Sequence, residues 1–326
     1  MKAIVYSEFG PPDVLKVAEV PKPTPKTNEV LVRVRAASAN PLDWHFIRGE
    51  PKVMRLMGRP HNRTPGADFS GQVEAVGAEV TQFHAGDEVF GGANGAFAEY
   101  ACAKVENLAR KPATLTHEQA AALPVAGCTA LIAVRDKGAV TAGKSVLVNG
   151  AAGGVGTFAV QIAKALGAEV TGVCNTRNLD LVRSIGADRV VDYTVEDFAA
   201  QGPRYDVVLH VAGSRSLEDH RRALKPDGTL VLVGSGTGRD GGSQTLEWLG
   251  TIALVMGRGL VSRFLRQRIR MFVARMEPND LAFLAELCAT RKIAPVIDRS
   301  YPLADAAEAV RRIEEGHPRG KVLVIP

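Results

Sequence analysis

One segment constrains the fold more than any other: "SVLVNGAAGGVGTFAVQIAKALGAEV", residues 145–170. An apolar run from Ser145 ends at Asn149, and glycines follow at 150, 153, 154 and 156. Val155, Phe158, Ala159, Ile162, Ala163 and Leu166 then recur at helical spacing until Gly167. The pattern predicts a strand, a tight turn and a helix. Such a turn needs residues without a Cβ so that backbone can come close to a pyrophosphate, and the helix start offers unpaired N–H groups and a positive dipole end. A lone glycine motif is weak, but here it has the strand and the helix it requires on either side. The competing reading is a tight strand–helix turn with no ligand.

The next strand, in "GAEVTGVCNTRN" (167–178), ends in Cys174, Asn175, Thr176 and Arg177. A chain built for NAD is expected to place a carboxylate there for the adenosine ribose, and a carboxylate would repel a phosphate on that ribose. Arg177 does the reverse, because a guanidinium matches phosphate geometry and keeps its charge. Asn175 and Thr176 add neutral donors. The expected ligand is therefore NADP rather than NAD, against the alternative of a surface arginine at the start of the next helix.

The remaining chain falls into two textures. In the first third, "MKAIVYS", "EVLVRVRAAS", "GQVEAVG", "DEVFG" and "FAEYACA" are short strands between turn residues, and they point to a small antiparallel barrel. From "TLTHEQ" onward helices alternate with the strands "SVLVN", "EVTGVC", "DRVVDY", "YDVVLHV" and "TLVLVG", the pattern of a parallel sheet with crossover helices. Thr116 and Gln119 have capping-box spacing, and a helix over 216–224 is expected to stop at Pro226 and Gly228. In the arginine-rich stretch 258–275, Ile269, Met271 and Val273 alternate as a last sheet strand would. The closing segment reads as strand, helix, strand.

A length of 326 residues suits about two domains. A net charge of +5 is too mild to argue for nucleic acid, and no apolar run reaches the 18 or so residues of a membrane span. The scattered Cys102, Cys128, Cys174 and Cys288 form no disulfide framework, and the N-terminus is broken by Glu8 and two prolines before any signal-like core. These features set a reduced cytoplasmic setting as the expectation.

With these residues together, the chain resembles the zinc-free, quinone-oxidoreductase-like branch of the medium-chain dehydrogenase/reductase superfamily. The resemblance is carried by "ASANPLDW", "PGADFSGQVEAVG", "AGDEVFG", "GAFAEY", "AALPVAGCTAL", the glycine segment, "GADRVVDY" and "RGKVLVI", and covers nearly the whole chain. It implies an α/β protein in which a GroES-like β-barrel catalytic domain (1–115, with 277–326 returning to it) is joined to a Rossmann domain with a doubly wound parallel sheet (116–276). It also implies a nicotinamide cleft at their junction and a homodimer formed through the edge of the Rossmann sheet. Ala152, Gly153, Gly154, Val155 and Gly156 would hold the pyrophosphate, and Lys164 and Tyr193 would approach the 2′-phosphate beside Asn175, Thr176 and Arg177. Asn40 and Thr129 are expected near the nicotinamide half, with Val211, Gly213, Gly234 and Ser235 at strand ends facing the same cleft.

Departures from the zinc-dependent relatives matter as much. Those carry a cysteine where this chain has Asn40, a histidine at Ala67 and a second cysteine near Val125. Asp68 alone cannot hold a catalytic zinc, which needs about three protein ligands. The expectation is thus metal-free, NADPH-dependent reduction of a quinone, enone or other small-molecule acceptor such as an aldehyde, with His45 and Asn40 as the catalytic candidates. The rivals are a metal-free carbonyl reductase or alcohol dehydrogenase, and a non-enzymatic NADPH-binding protein.

Overall fold

The computed structural model describes residues 1–50, 55, 60–200, 202–213, 215–233, 266–316 and 318–326. The chain divides into two units, Met1–Cys128 with Arg275–Pro326, and Thr129–Ala274.

In the first unit, β1 (Lys2–Val5) pairs antiparallel with β2 (Lys16–Glu19). The hub is β3 (Glu29–Ala39), in which Val30–Val32 and Ala36–Ala39 are buried and only Arg33 and Arg35, on either side of buried Val34, are exposed. Helix α1 (Pro41–Arg48) follows directly, started by Pro41 and closed by Gly49 in the left-handed region at φ 63°. β4 (Asp68–Val76) runs antiparallel to β3, β5 (Glu88–Gly92) to β4, and β6 (Tyr100–Lys104) to the first residues of β3. β7 (Leu108–Arg110) adds to β5. The expected strands are present, and β2 and β7 join them.

Helix α2 (His117–Ala121) has the expected box: Thr116 Oγ1 accepts from Gln119 N at 3.2 Å, and Thr116 N donates to Gln119 Oε1 at 3.0 Å. The sequence division at 115/116 leaves this helix with the middle domain. Its packing on β3 and β4 assigns it to the first unit instead, and the boundary falls after Cys128, within α3 (Pro124–Leu131).

The second unit is a parallel sheet built from β8 (Ser145–Asn149), helix α4 (Gly154–Ala165), β9 (Glu169–Cys174), α5 (Leu179–Ser184), β10 (Arg189–Asp192), β11 (Tyr205–His210), α6 (Leu217–Ala223), β12 (Leu224–Leu232) and β13 (Arg268–Met271). The strand order is β10-β9-β8-β11-β12-β13. The chain winds outward from β8 in one direction and then from β11 in the other. The carboxyl ends of β8 and β11 therefore flank the switch point, where such sheets bind ligands.

Two sequence readings change here. Pro226 and Gly228 do not form the turn after α6; they lie inside β12, which begins at Leu224. The β11–β12 register jumps from Leu224 to Thr229 while β11 advances only from Tyr205 to Val207, so the intervening residues bulge out of the ladder and proline is tolerated. β13 is the outermost described strand, as the alternation implies, and Ile269 packs on the core of Leu147, Val208 and Leu230. Val273 lies beyond the strand, 89% exposed. Residues 258–265 of the arginine-rich stretch are outside the described residues.

The chain then returns to the first unit through α7 (Pro278–Ala289), β14 (Ile297–Pro302), α8 (Ala306–Glu314) and β15 (Lys321–Ile325). β15 pairs antiparallel with the last residues of β3, so the two ends of the chain share one sheet and one core, with Phe69, Phe97, Ile47, Val322 and Val324 buried together.

Candidate functional site

In the second unit, the turn between β8 and α4 is shaped by its glycines. Gly150 has φ 91°, which an L side chain rarely adopts. A Cβ on Gly156 would lie 2.0 Å from the Gly150 carbonyl oxygen, so this glycine is required for the helix to pack against its own strand. A Cβ on Gly153 would meet nothing nearer than 3.7 Å. That space is open. Gly153 caps α4 without any side-chain hydrogen bond, which leaves first-turn N–H groups for an anion. Ala152 and Val155 complete the loop. The loop fits a dinucleotide pyrophosphate.

The end of β9 lies beside it. Asn175 is half-buried and Asn178 buried, and among the described residues neither Oδ1 has a hydrogen-bond partner. Thr176 and Arg177 are exposed in the short turn that follows, and Tyr193, 45% exposed, follows the end of the neighbouring strand. Lys164 is engaged elsewhere: its Nζ lies 2.7 and 2.8 Å from the Asp188 carboxylate oxygens and donates to the Ala168 carbonyl. Val211 N donates to the Asn149 carbonyl at the end of β8, and Gly213 (φ 112°) sits against the Asn149 amide. Thr129 is half-buried on α3. Gly234 and Ser235 lie outside the described residues.

The sequence reading missed a histidine pair at these strand ends. Asn149 Nδ2 lies 3.1 Å from His210 Nδ1 and 3.3 Å from His220 Nε2, and His220 Nδ1 is 2.7 Å from the Ser216 carbonyl oxygen. The rings meet edge to face at 4.4 Å. Burial, with His220 close by, pushes His210 down to about 4; burial also lowers His220, against the pull of Ser216 and Asp219. Because the folded pKa is depressed, the unfolded chain binds more protons between about 6.5 and 4. Stability is full above that window and is lost as pH falls through it. We expect the unfolding free energy from urea titrations to drop between pH 6.5 and 4.5, by at most about 3 kcal/mol from His210, and His210→Asn to flatten that slope.

The first unit holds the other notable cluster. Lys321, the first residue of β15, is 2% exposed, and its Nζ donates to Asn40 Oδ1 at 2.5 Å and lies 3.5 Å from Asp68 Oδ2. Asp68, fully buried at the start of β4, accepts from Asn40 Nδ2 (2.9 Å), Ser38 Oγ (3.1 Å) and Val125 N (3.0 Å). Burial pushes Asp68 up and Lys321 down, while each group and the surrounding donors favour the other's charged form. Asp43 accepts from Asn40 N and Gly66 N, and burial raises it to about 7. Asn40 is therefore consumed by an internal ionic network, with both ends of its amide bonded inside the unit.

His45 stands on α1, stacked on Trp44 at 3.8 Å, and neither ring nitrogen has a partner among the described residues. Burial holds its pKa below the ordinary value, so the ring is mainly neutral near pH 7 and carries little proton to donate. Among the described residues, no group of three or more His, Cys, Asp or Glu side chains could hold a metal ion.

Comparison with known proteins bears on both units. Residues 26–113 match the family model described as alcohol dehydrogenase GroES-like domain, and residues 185–324 the one described as zinc-binding dehydrogenase. The chain is 33% identical over 342 residues to a chloroplast envelope quinone oxidoreductase homolog of Arabidopsis thaliana, covering 100% of this chain and 98% of that one. It is 32% identical over 345 residues to the NADPH-dependent alkenal/one oxidoreductase, chloroplastic, of the same plant, covering 100% and 80%. Among solved structures, the Escherichia coli quinone oxidoreductase complexed with NADPH superposes with a TM-score of 0.83 at 26% identity, covering 100% of both chains. These relatives overturn the cytoplasmic expectation, since the two plant proteins are chloroplast proteins. Cys102, Cys128, Cys174 and Cys288 are free, and free cysteines do not single out one compartment.

Proposed function

The chain belongs to the medium-chain dehydrogenase/reductase superfamily, in its quinone-oxidoreductase-like branch, and is an NADP(H)-dependent oxidoreductase; from that premise we propose that it works without zinc and delivers hydride to a quinone or an enone-type conjugated double bond. The observation that carries this is Lys321. Its buried ammonium is bound by Asn40, one of the positions at which the sequence departs from a zinc site, and by Asp68, the one acid left there. A resident cation already balances Asp68, and a second cation there would be repelled. Asn40, Ala67 and Val125 offer no strong zinc ligand.

The lack of a metal selects the acceptor. Reducing a simple ketone puts negative charge on one oxygen, where a zinc ion is a strong stabiliser. A conjugated acceptor spreads that charge, so hydrogen-bond donors and a proton from solvent suffice. Bound NADPH supplies the hydride. The chain's own part is to hold the pyrophosphate on the glycine loop and to place Arg177, Tyr193 and Asn175 around the adenosine end. With His45 mainly neutral, solvent is the favoured proton source.

The test is NADPH oxidation across quinones, enones, aldehydes and simple ketones, with and without chelator, beside elemental analysis of the purified protein. Conjugated acceptors should be reduced at an unchanged rate after chelation, with no stoichiometric zinc. Activity that vanishes on chelation and returns with zinc overturns the proposal. We also propose that the protein is a homodimer joined along β13, because an outer strand bearing Ile269 and Met271, with Val273 exposed just beyond it, is best covered by a copy of itself. Light scattering on the same sample should give twice the chain mass.

A further inference from the structure

A carboxylate is absent from the end of β9 in sequence, but the fold supplies one from the next strand. β10 pairs in parallel with β9 in the register Asp192↔Cys174, and Tyr193 N donates to the Cys174 carbonyl at 3.0 Å. Asp192 therefore stands level with the last residue of β9, one strand over. Its Oδ1 accepts from Thr194 N at 3.0 Å and from Thr194 Oγ1 at 2.7 Å, and the Thr176 hydroxyl also bonds this carboxylate. The two threonine hydroxyls are 3.2 Å apart.

We propose that Asp192 is a specificity-determining residue, a carboxylate that opposes the 2′-phosphate of NADPH and so keeps NADH as a usable second nucleotide. Thr194 Oγ1 spends its one proton on Asp192 Oδ1, and Thr176 Oγ1 lies 3.2 Å from Thr194 Oγ1, so both hydroxyls are engaged around this carboxylate. A carboxylate level with the end of β9 suits the hydroxyls of an unphosphorylated ribose and repels a phosphate there. Hydrogen bonds from Thr176 and Thr194 hold the Asp192 carboxyl below the usual carboxylate range, so it is charged at neutral pH. Arg177 favours the phosphorylated nucleotide and Asp192 disfavours it, and the preference is the difference between the two.

Nucleotide binding reads this directly, without any acceptor, so it is independent of the reaction proposed above. Asp192→Asn keeps the shape and the ability to accept from Thr194 while removing the charge. We expect it to tighten NADPH and 2′,5′-ADP roughly three- to tenfold by calorimetry, with NADH and 5′-AMP unchanged or weaker. Thr194→Val removes the hydroxyl but keeps the charge, and should leave the NADPH/NADH ratio at the wild-type value. Asp192→Ser offers the same charge removal should the asparagine variant fold poorly. An unchanged ratio in both Asp192 variants overturns the proposal. A matching change in Thr194→Val also overturns it, because loop order rather than charge would then be responsible.

Discussion

Replacing Lys321 with methionine is expected to destabilise the first unit by about 3–5 kcal/mol, the cost of leaving a buried carboxylate without its cation. Lys321 and Asp68 are 2% and 0% exposed, so water cannot take the place of either partner. The loss also frees Asn40 Oδ1, because Lys321 Nζ is the donor it faces. Pairing Lys321→Met with Asp68→Asn removes both charges, and most of the stability should return, since an uncharged buried pair has little desolvation cost. Urea unfolding of the single and double variants measures this as the coupling of a double-mutant cycle. Additive losses would mean that the two residues do not act as a pair.

The second large effect separates two glycines three residues apart. Gly156→Ala forces a Cβ to within 2.0 Å of the Gly150 carbonyl, and backbone must move. Both the melting temperature and NADPH binding should fall, the first by about 1–3 kcal/mol in stability. Gly153→Ala meets only open space, at a backbone φ of −80° that alanine adopts freely. Its melting temperature should stay at the wild-type value while NADPH binding weakens roughly 10- to 100-fold, as a misfit of about 1.4–2.8 kcal/mol implies. Calorimetric titration beside a thermal melt distinguishes the two. Equal binding by wild type and Gly153→Ala would remove the pyrophosphate from this loop.

Much of the molecule is legible in sequence because much of it is local. The ends of β8 and β9 follow from apolar runs stopped by glycine and polar residues, α4 from its 3.6-residue period, and the α2 start from Thr116 and Gln119 three residues apart. Each depends on neighbours within one turn or one strand, where propensity and spacing carry the information. The strand over Ile269 and Met271 is legible in the same way from their alternation, whereas its outer place among the described strands comes from its pairing with β12.

The chemistry of the sites is set by distances across the chain that no local pattern encodes. Lys321 reaches Asn40 from 281 residues away because β15 pairs with the end of β3. Asp192 stands beside Thr176 because β10 lies next to β9 in one particular register, which turns an end-of-strand position without an acid into one with a carboxylate alongside. His210 and His220 meet at Asn149 because β11, rather than β9, flanks β8 on that side. The bulge that carries Pro226 within β12 depends on its partner strand in the same way. Sequence determined the elements and the glycine loop; strand order and register, which are properties of non-local pairing, decided which charges face one another.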